Sequence, residues 1–259
     1  MIIVRRAKER LHDQSANQEK WLTLGPRDRT NTLACGFGAL EILSEVRLAP
    51  AASASRDEGH EVETLTYVHA GALACEDSAG HLRLLQAGEF QLVTCGPGLR
   101  YGKRNASRRE WAHFFQIRFY HSSAALEATH VERRFSVAER RGGLCVVASL
   151  DARRGSLRIC QDAMVYSALL DAGQHVVHEL AEGRSAWLHV VQGQVALGDL
   201  SLSAGDGAGI TAERAASFTA GDESEVLLVN LGERTAGPLT EAVASPTRRG
   251  PQPPCDPSF

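Results

Sequence analysis

The sequence predicts an all-β protein made of two tandem jelly-roll-like β-barrels, and three observations carry that reading. Short runs alternate apolar and polar residues, as a strand with one buried face requires. Gly, Asp and Ser interrupt these runs roughly every 8 to 12 residues, the rhythm of a sandwich or barrel. The third observation is an internal repeat. Tyr67-Val68-His69-Ala70-Gly71 is followed by a hairpin and then by Gln86-Ala87-Gly88-Glu89-Phe90-Gln91-Leu92-Val93. Val190-Val191-Gln192-Gly193 is followed by a shorter hairpin and then by Ser203-Ala204-Gly205-Asp206 and Gly207-Ala208-Gly209-Ile210. Each copy reads strand, Gly, hairpin, Ala-Gly-Asp/Glu, strand, with the glycines placed where a turn favours positive φ.

In chain order, residues 2–6 (Ile2 to Arg6) have strand character but precede the first copy of the repeat. Val62 to Val68, Phe90 to Val93, Phe114 to Phe119 and Glu225 to Val229 read as strands. Gly80, after Asp77-Ser78-Ala79, and the pair Gly198-Asp199 mark hairpin turns. A short helical pattern is expected only around Ser122 to Leu126. Residues 1–130 therefore read as an N-terminal barrel and 131–231 as a C-terminal one. Six of the nine prolines fall after Leu231, so residues 232–259 read as an irregular tail.

At 259 residues and 43% hydrophobic, the chain can bury a substantial core. A net charge of −3 gives no reason to expect nucleic acid. No apolar run approaches the ~20 residues of a membrane helix. Arg5 and Arg6 break the short apolar start, so it does not read as a signal peptide, and a cytoplasmic protein is expected. The six cysteines have no CxxC spacing and sit largely in apolar segments, so reduced, buried thiols are expected.

The Ala-Gly-Glu/Asp turn after a Gly-closed strand, used twice, resembles the backbone pattern of cupin barrels. More closely, the chain resembles the pirin family of bicupins, which includes members described as quercetin 2,3-dioxygenases. Carrying segments in the first half are Glu63 to Val68, Glu76 to Gly80, Ala87 to Gln91, Gly96 to Leu99 and Phe115 to Ile117. In the second half they are Gly155 to Leu157, Gln161-Asp162, Gly205 to Gly207 and Glu225 to Leu228. The similarity runs from about residue 2 to residue 231. It implies two cupin barrels, with the leading strand of residues 2–6 completing the other barrel.

The resemblance also implies a metal position, and here the chain departs from the family. The family holds its metal by a His-x-His six and four residues before the position of Glu63, and by a His-x-Glu after the Gly-x-Gly-Leu/Ile turn. In this chain the four positions are Asp57, Gly59, Tyr101 and Lys103. A phenol and an ammonium do not replace imidazole and carboxylate as ligands. No metal and no other cofactor are therefore expected, and no catalytic residue is assigned. The expected function is binding of a small ligand, or regulation through a protein partner. The alternative is a quercetinase-like dioxygenase with a rebuilt site. A monomer without nucleic-acid or membrane partners is expected.

Further expectations concern single residues. Asp57, Gly59, Glu61 and Glu63 share strand parity and are expected to face one cavity, with Lys103 among the carboxylates and Tyr101 donating to them. Arg100, Lys103, Arg104, Arg108 and Arg109 form a basic cluster, read as a solvated loop or an anion-attracting rim. His175 and His178 are three apart in a strand, so they face opposite sides. His189, between Leu188 and Val190, reads as a hydrogen-bonded structural histidine. The second barrel offers Leu180 and Glu182 where ligands would sit. No nucleophile elbow, P-loop or dinucleotide-binding glycine pattern is present.

Overall fold

The repeated Ala-Gly-Asp/Glu phrase does the same structural job in both halves of the chain. In a computed structural model, which describes residues 1–25, 36–54, 63–94, 101–120 and 129–232, each acidic side chain closes its own turn. Glu89 accepts the Gln86 N–H at 2.7 Å, and Asp206 accepts the Ser203 N–H at 3.1 Å. The following backbone contact is also duplicated, with Gly88 N–H donating to Val68 and Gly205 N–H to Val190. Gly205 has φ +85°, a conformation that L side chains rarely adopt, and a Cβ there would also push the Arg10 guanidinium, 2.6 Å away, out of its place.

The first half contributes β2 (Leu11–Gln14), β3 (Gln18–Leu24), β4 (Leu40–Leu48), β5 (Glu63–Ala70), β6 (Ala72–Asp77) and β7 (Leu82–Gln86). It continues with β8 (Glu89–Thr94), β9 (Tyr101–Asn105), β10 (Ala112–Phe119) and β11 (Thr129–Arg134). These make a seven-stranded sheet in the order β11-β8-β5-β10-β4-β3-β2, facing a three-stranded sheet, β7-β6-β9. The second half contributes β12 (Cys145–Ser149), β13 (Leu157–Arg158), β14 (Ala163–Leu170), β15 (His175–Glu179) and β16 (Ser185–Gln192). It ends with β17 (Gln194–Leu197), β18 (Leu200–Ser203), β19 (Gly207–Ile210), β20 (Ala215–Ala220) and β21 (Ser224–Leu231). The strand β1 (Ile2–Arg5) joins this half, giving β1-β19-β16-β21-β14-β12-β13 against a four-stranded sheet, β15-β20-β17-β18. The leading strand thus pairs with β19, from Ile2 opposite Ile210 to Arg5 opposite Gly207, as the resemblance implied.

Three apolar clusters define four layers of sheet. Val46, Val68, Leu73, Val93 and Phe114 fill the first sandwich, and Leu170, Leu188, Val195, Phe218 and Leu228 fill the second. The largest cluster lies between the two seven-stranded sheets, where Leu65, Tyr67, Phe90, Phe115 and Phe119 meet Val165, Trp187, Leu227 and Val229. Both faces of each large sheet are therefore buried, which explains why β21 reads as a nearly unbroken apolar run.

The strands expected from alternation are present, and the Gly80 and Gly198-Asp199 turns join β6 to β7 and β17 to β18. The helical expectation at Ser122 to Leu126 lies outside the described residues. A helix the sequence reading missed, α1 (Val137–Arg140), is opened by a capping box between Ser136 and Glu139. Among the described residues, no helix is long and apolar enough to cross a membrane. Of the cysteines described, Cys75 is buried, Cys145 half-buried and Cys160 exposed, and all three are reduced.

Candidate functional site

Inside the first sandwich, polar side chains converge at the end where β6 and β9 run side by side. Cys75 is the cross-strand partner of Lys103, and Asp77 is that of Tyr101. Odd-numbered residues of β9 alternate inward, so Tyr101, Lys103 and Asn105 are all buried. The Tyr101 hydroxyl donates to Gln91 Oε1 at 2.9 Å and lies 3.4 Å from His130 Nε2. Gln91 Nε2 is 2.8 Å from the same imidazole nitrogen. The Lys103 ammonium lies 5.2 Å from the centre of the Tyr101 ring, within cation–π range. Beside these strands is a cleft of about 440 Å³, bordered by Ser53, Ala74, Glu76, Tyr101, Lys103 and Arg104.

Burial governs the chemistry of this cluster. It pushes the Tyr101 phenol well above its usual range, with the neighbouring Cys75 adding to the rise. The Cys75 thiol is raised by burial and partly drawn back by the Lys103 ammonium. His130 is lowered, chiefly by burial. At neutral pH the cluster therefore presents a protonated phenol, a protonated thiol and a neutral imidazole. These residues do not fit the metal that the resemblance implies. A protonated phenol hydrogen-bonded to an amide and an ammonium group are poor substitutes for imidazole and carboxylate ligands. Among the described residues, no group of three or more His, Cys, Asp and Glu is arranged to hold a metal ion.

Glu63 does not join this cluster, which corrects the expectation drawn from strand parity. On β5 the odd residues Leu65 and Tyr67 face the other sandwich, and Glu63 shares their side. Both of its carboxylate oxygens accept the Cys160 N–H, at 2.9 and 3.0 Å, and burial raises its pKa. Parity groups residues on one face, but it does not say which face is the interior. Asp57, Gly59 and Glu61 lie outside the described residues. The basic cluster is divided by the same alternation: Lys103 points inward and is buried, whereas Arg104 is exposed, and Arg100 is not described.

The seam between the sandwiches holds a second polar cluster that sequence reading did not find. Arg140 Nη1 donates to Glu225 Oε1 at 3.0 Å and to the Tyr67 hydroxyl at 2.9 Å, while Tyr67 itself donates to Glu225. His69 Nδ1 lies 3.0 Å from Glu225 Oε2. The His69 ring meets that of His113 edge-on at 5.0 Å, and His113 Nε2 lies 2.9 Å from Glu45, which also pairs with Arg10 at 2.7 Å. His189 faces this seam fully buried, with neither ring nitrogen bonded among the described residues. That corrects the expectation of a hydrogen-bonded histidine: its ring packs 5.7 Å from Phe115, and burial lowers its pKa to about 4. Leu180 is buried in the apolar core of the second sandwich and Glu182 is exposed.

Comparison with known proteins agrees with this architecture. Residues 41–118 match the family model described as pirin, and residues 146–231 match the quercetinase C-terminal cupin domain. The chain is 32% identical to a quercetin 2,3-dioxygenase of Escherichia coli strain K12 over 231 residues, covering 89% of this chain and 99% of that protein. It is 30% identical to a pirin-like protein of Caulobacter vibrioides over 195 residues, covering 75% and 84% of the two chains. The crystal structure of the bacterial pirin YhhW from Escherichia coli in complex with nickel(II) superposes with a TM-score of 0.83 at 32% identity, covering 90% of this chain and all of that one (100%). A quercetin 2,3-dioxygenase structure from Acinetobacter baumannii, at 13% identity and a TM-score of 0.72, shares the fold. With two family models in tandem and a relative matched almost end to end, the chain belongs to the pirin family of bicupins.

Proposed function

We propose that this pirin-family bicupin is a small-ligand-binding, regulatory protein that works without the family's usual metal centre. The observation that supports this reading is the pair Tyr101 and Lys103. They stand at two of the positions where the family places ligands, yet the phenol is hydrogen-bonded to Gln91 and the ammonium is stacked on the phenol. Beside them lies a cleft of about 440 Å³ bordered by Tyr101, Lys103, Arg104 and Glu76, a concave and mostly polar place for a small ligand. The chain would act in the cytoplasm as a unit of two barrels, residues 1–130 and 131–231, followed by the tail 232–259. The Escherichia coli relative is named as a dioxygenase and is solved in complex with nickel(II), so metal content is the decisive measurement.

The experiment is elemental analysis of protein purified from medium supplied with nickel, iron, copper and manganese, together with a quercetin turnover assay before and after metal addition. Substoichiometric metal and no metal-dependent turnover are expected. One equivalent of any of these metals, or turnover that tracks its addition, would overturn the reading.

A further inference from the structure

The cleft of about 440 Å³ beside β6 and β9 has a floor of side chains that alternate outward from the three-stranded sheet. Leu73 and Cys75 of β6 and Tyr101 of β9 point into the apolar core, so Ala74, Glu76, Gly102 and Arg104 face the other way. Register sets these four in a square. Glu76 stands opposite Gly102 and Ala74 opposite Arg104, so the two charges occupy one diagonal and the two small residues the other. Leu82, the partner of Glu76 on β7, borders the same cleft and is 57% exposed.

Both rims are held by backbone bonds. Residues 52–54 run along the outer edge of β9, where Ala54 N–H donates to Lys103 at 2.9 Å and Asn105 N–H donates to Ala52 at 2.8 Å. Opposite them, Asp77 accepts the Ala79 and His81 N–H groups, both at 2.9 Å, and pins the hairpin at Ser78 to Gly80. Gly102 adds an independent observation. Its φ is not positive, and within 4 Å a Cβ there would meet nothing but the Glu76 carbonyl, at 3.8 Å. Neither the backbone nor the packing requires glycine at this position. A side chain would instead stand in the cleft.

Charge selects the occupant. Asp77 is committed to its own turn, including His81 Nδ1 at 2.9 Å, and the Lys103 ammonium is stacked on the Tyr101 ring. The side chains of Glu76 and Arg104 are exposed, do not pair with each other and have no hydrogen-bond or ion-pair partner among the described residues. A simple anion drawn to Arg104 would lie against Glu76, and a simple cation drawn to Glu76 would lie against Arg104. A molecule carrying both charges meets neither conflict. Its carboxylate accepts from the guanidinium, and its ammonium donates to the Glu76 carboxylate. The small floor leaves room for its body, Leu82 offers an apolar contact, and the volume is on the scale of a small molecule.

We infer that this cleft binds a small zwitterion of the amino-acid class with an apolar side chain, held between Arg104 and Glu76 above Gly102. The inference rests on the reading that the cleft takes a small ligand, and it names the chemistry of that ligand.

The test is calorimetric titration of the full chain with L-leucine. Isocaproate, which lacks the ammonium, and isoamylamine, which lacks the carboxylate, serve as comparison arms at matched ionic strength. Saturable binding of leucine is expected, at least about tenfold tighter than that of either analogue. Arg104→Gln and Glu76→Gln should each weaken it by about tenfold, the scale of one lost charge-assisted contact. Gly102→Val should abolish it without lowering the melting temperature. No saturable binding of leucine, or an isotherm that both charge variants leave intact, would overturn the inference. Equal affinity for isocaproate or for isoamylamine would overturn the zwitterion while leaving a small-ligand cleft. Metal content judges the metal-free reading separately, because neither Glu76 nor Arg104 stands at a position where the family holds its metal.

Discussion

Arg140 and Glu225 meet across the seam at 3.0 Å, both buried, with Tyr67 and His69 completing the hydrogen bonding of the carboxylate. Helix α1 delivers the arginine and β21 the glutamate, so the pair ties the link between the sandwiches to the second sheet. Arg140→Met should cost about 3–5 kcal/mol in urea unfolding, because it leaves a buried carboxylate without its cation. A loss below ~1 kcal/mol would show that His69 alone compensates Glu225.

His189 should make the protein sensitive to mild acid. Its folded-state pKa is about 4, below the ordinary histidine value of 6.5. A depressed pKa means that the unfolded chain binds the proton first, so the contribution is complete above about pH 6.5 and is lost as pH falls toward 4. The difference corresponds to about 3 kcal/mol. Chemical unfolding across this window should show a flatter pH dependence in His189→Leu than in the wild type. Parallel profiles would mean that the ring is hydrated.

Glu45 governs a lower window. Arg10 and His113 outweigh its burial and hold it at about 2, against an ordinary value of 4.5. Its stabilisation is complete above about pH 4.5 and disappears as pH falls through about 2, where the folded carboxylate takes up its proton. Glu45→Gln should remove roughly 3 kcal/mol at pH 7 and little at pH 2. Equal loss at both pH values would assign the effect to packing.

The two sandwiches should unfold together. Trp187, Phe115 and Leu227 belong to one core between them, and β1 completes a sheet of the second half from the start of the first. Calorimetry should give one transition with agreeing calorimetric and van't Hoff enthalpies. Two separated peaks would contradict this coupling.

Much of this fold was legible because its signals are local. Gly88 and Gly205 mark equivalent turns, and Glu89 and Asp206 close them through bonds only three residues long. The helix over Val137–Arg140 was also legible in principle, since Ser136 and Glu139 have capping-box spacing, but four residues give too little periodicity to notice. The polar clusters were not legible. Arg10, His69, Arg140 and Glu225 come together only through tertiary packing, and nothing local marks them as partners. Glu63 illustrates the limit within a single strand: parity expected it to face a cavity with Lys103, whereas it shares its side of β5 with Leu65 and Tyr67, where a second sheet stacks and turns it away from Lys103. Tyr101 and Lys103 were found by family resemblance, which supplied positions that composition and period do not.

The exchange of β1 also sets an order in time. Ile2–Arg5 is synthesised before the strands of both sandwiches, yet its partner Gly207–Ile210 comes from near the end of the second half. This leading strand must therefore wait, unpaired, while nearly every other strand of the two sandwiches is added. Until then β19 lacks a neighbour on one side, and its exposed edge is open to pairing with another chain. Docking of β1 covers that side of β19 and leaves the short four-residue β1 as the edge of the finished sheet, so the contact of longest sequence separation is also the one that shields β19.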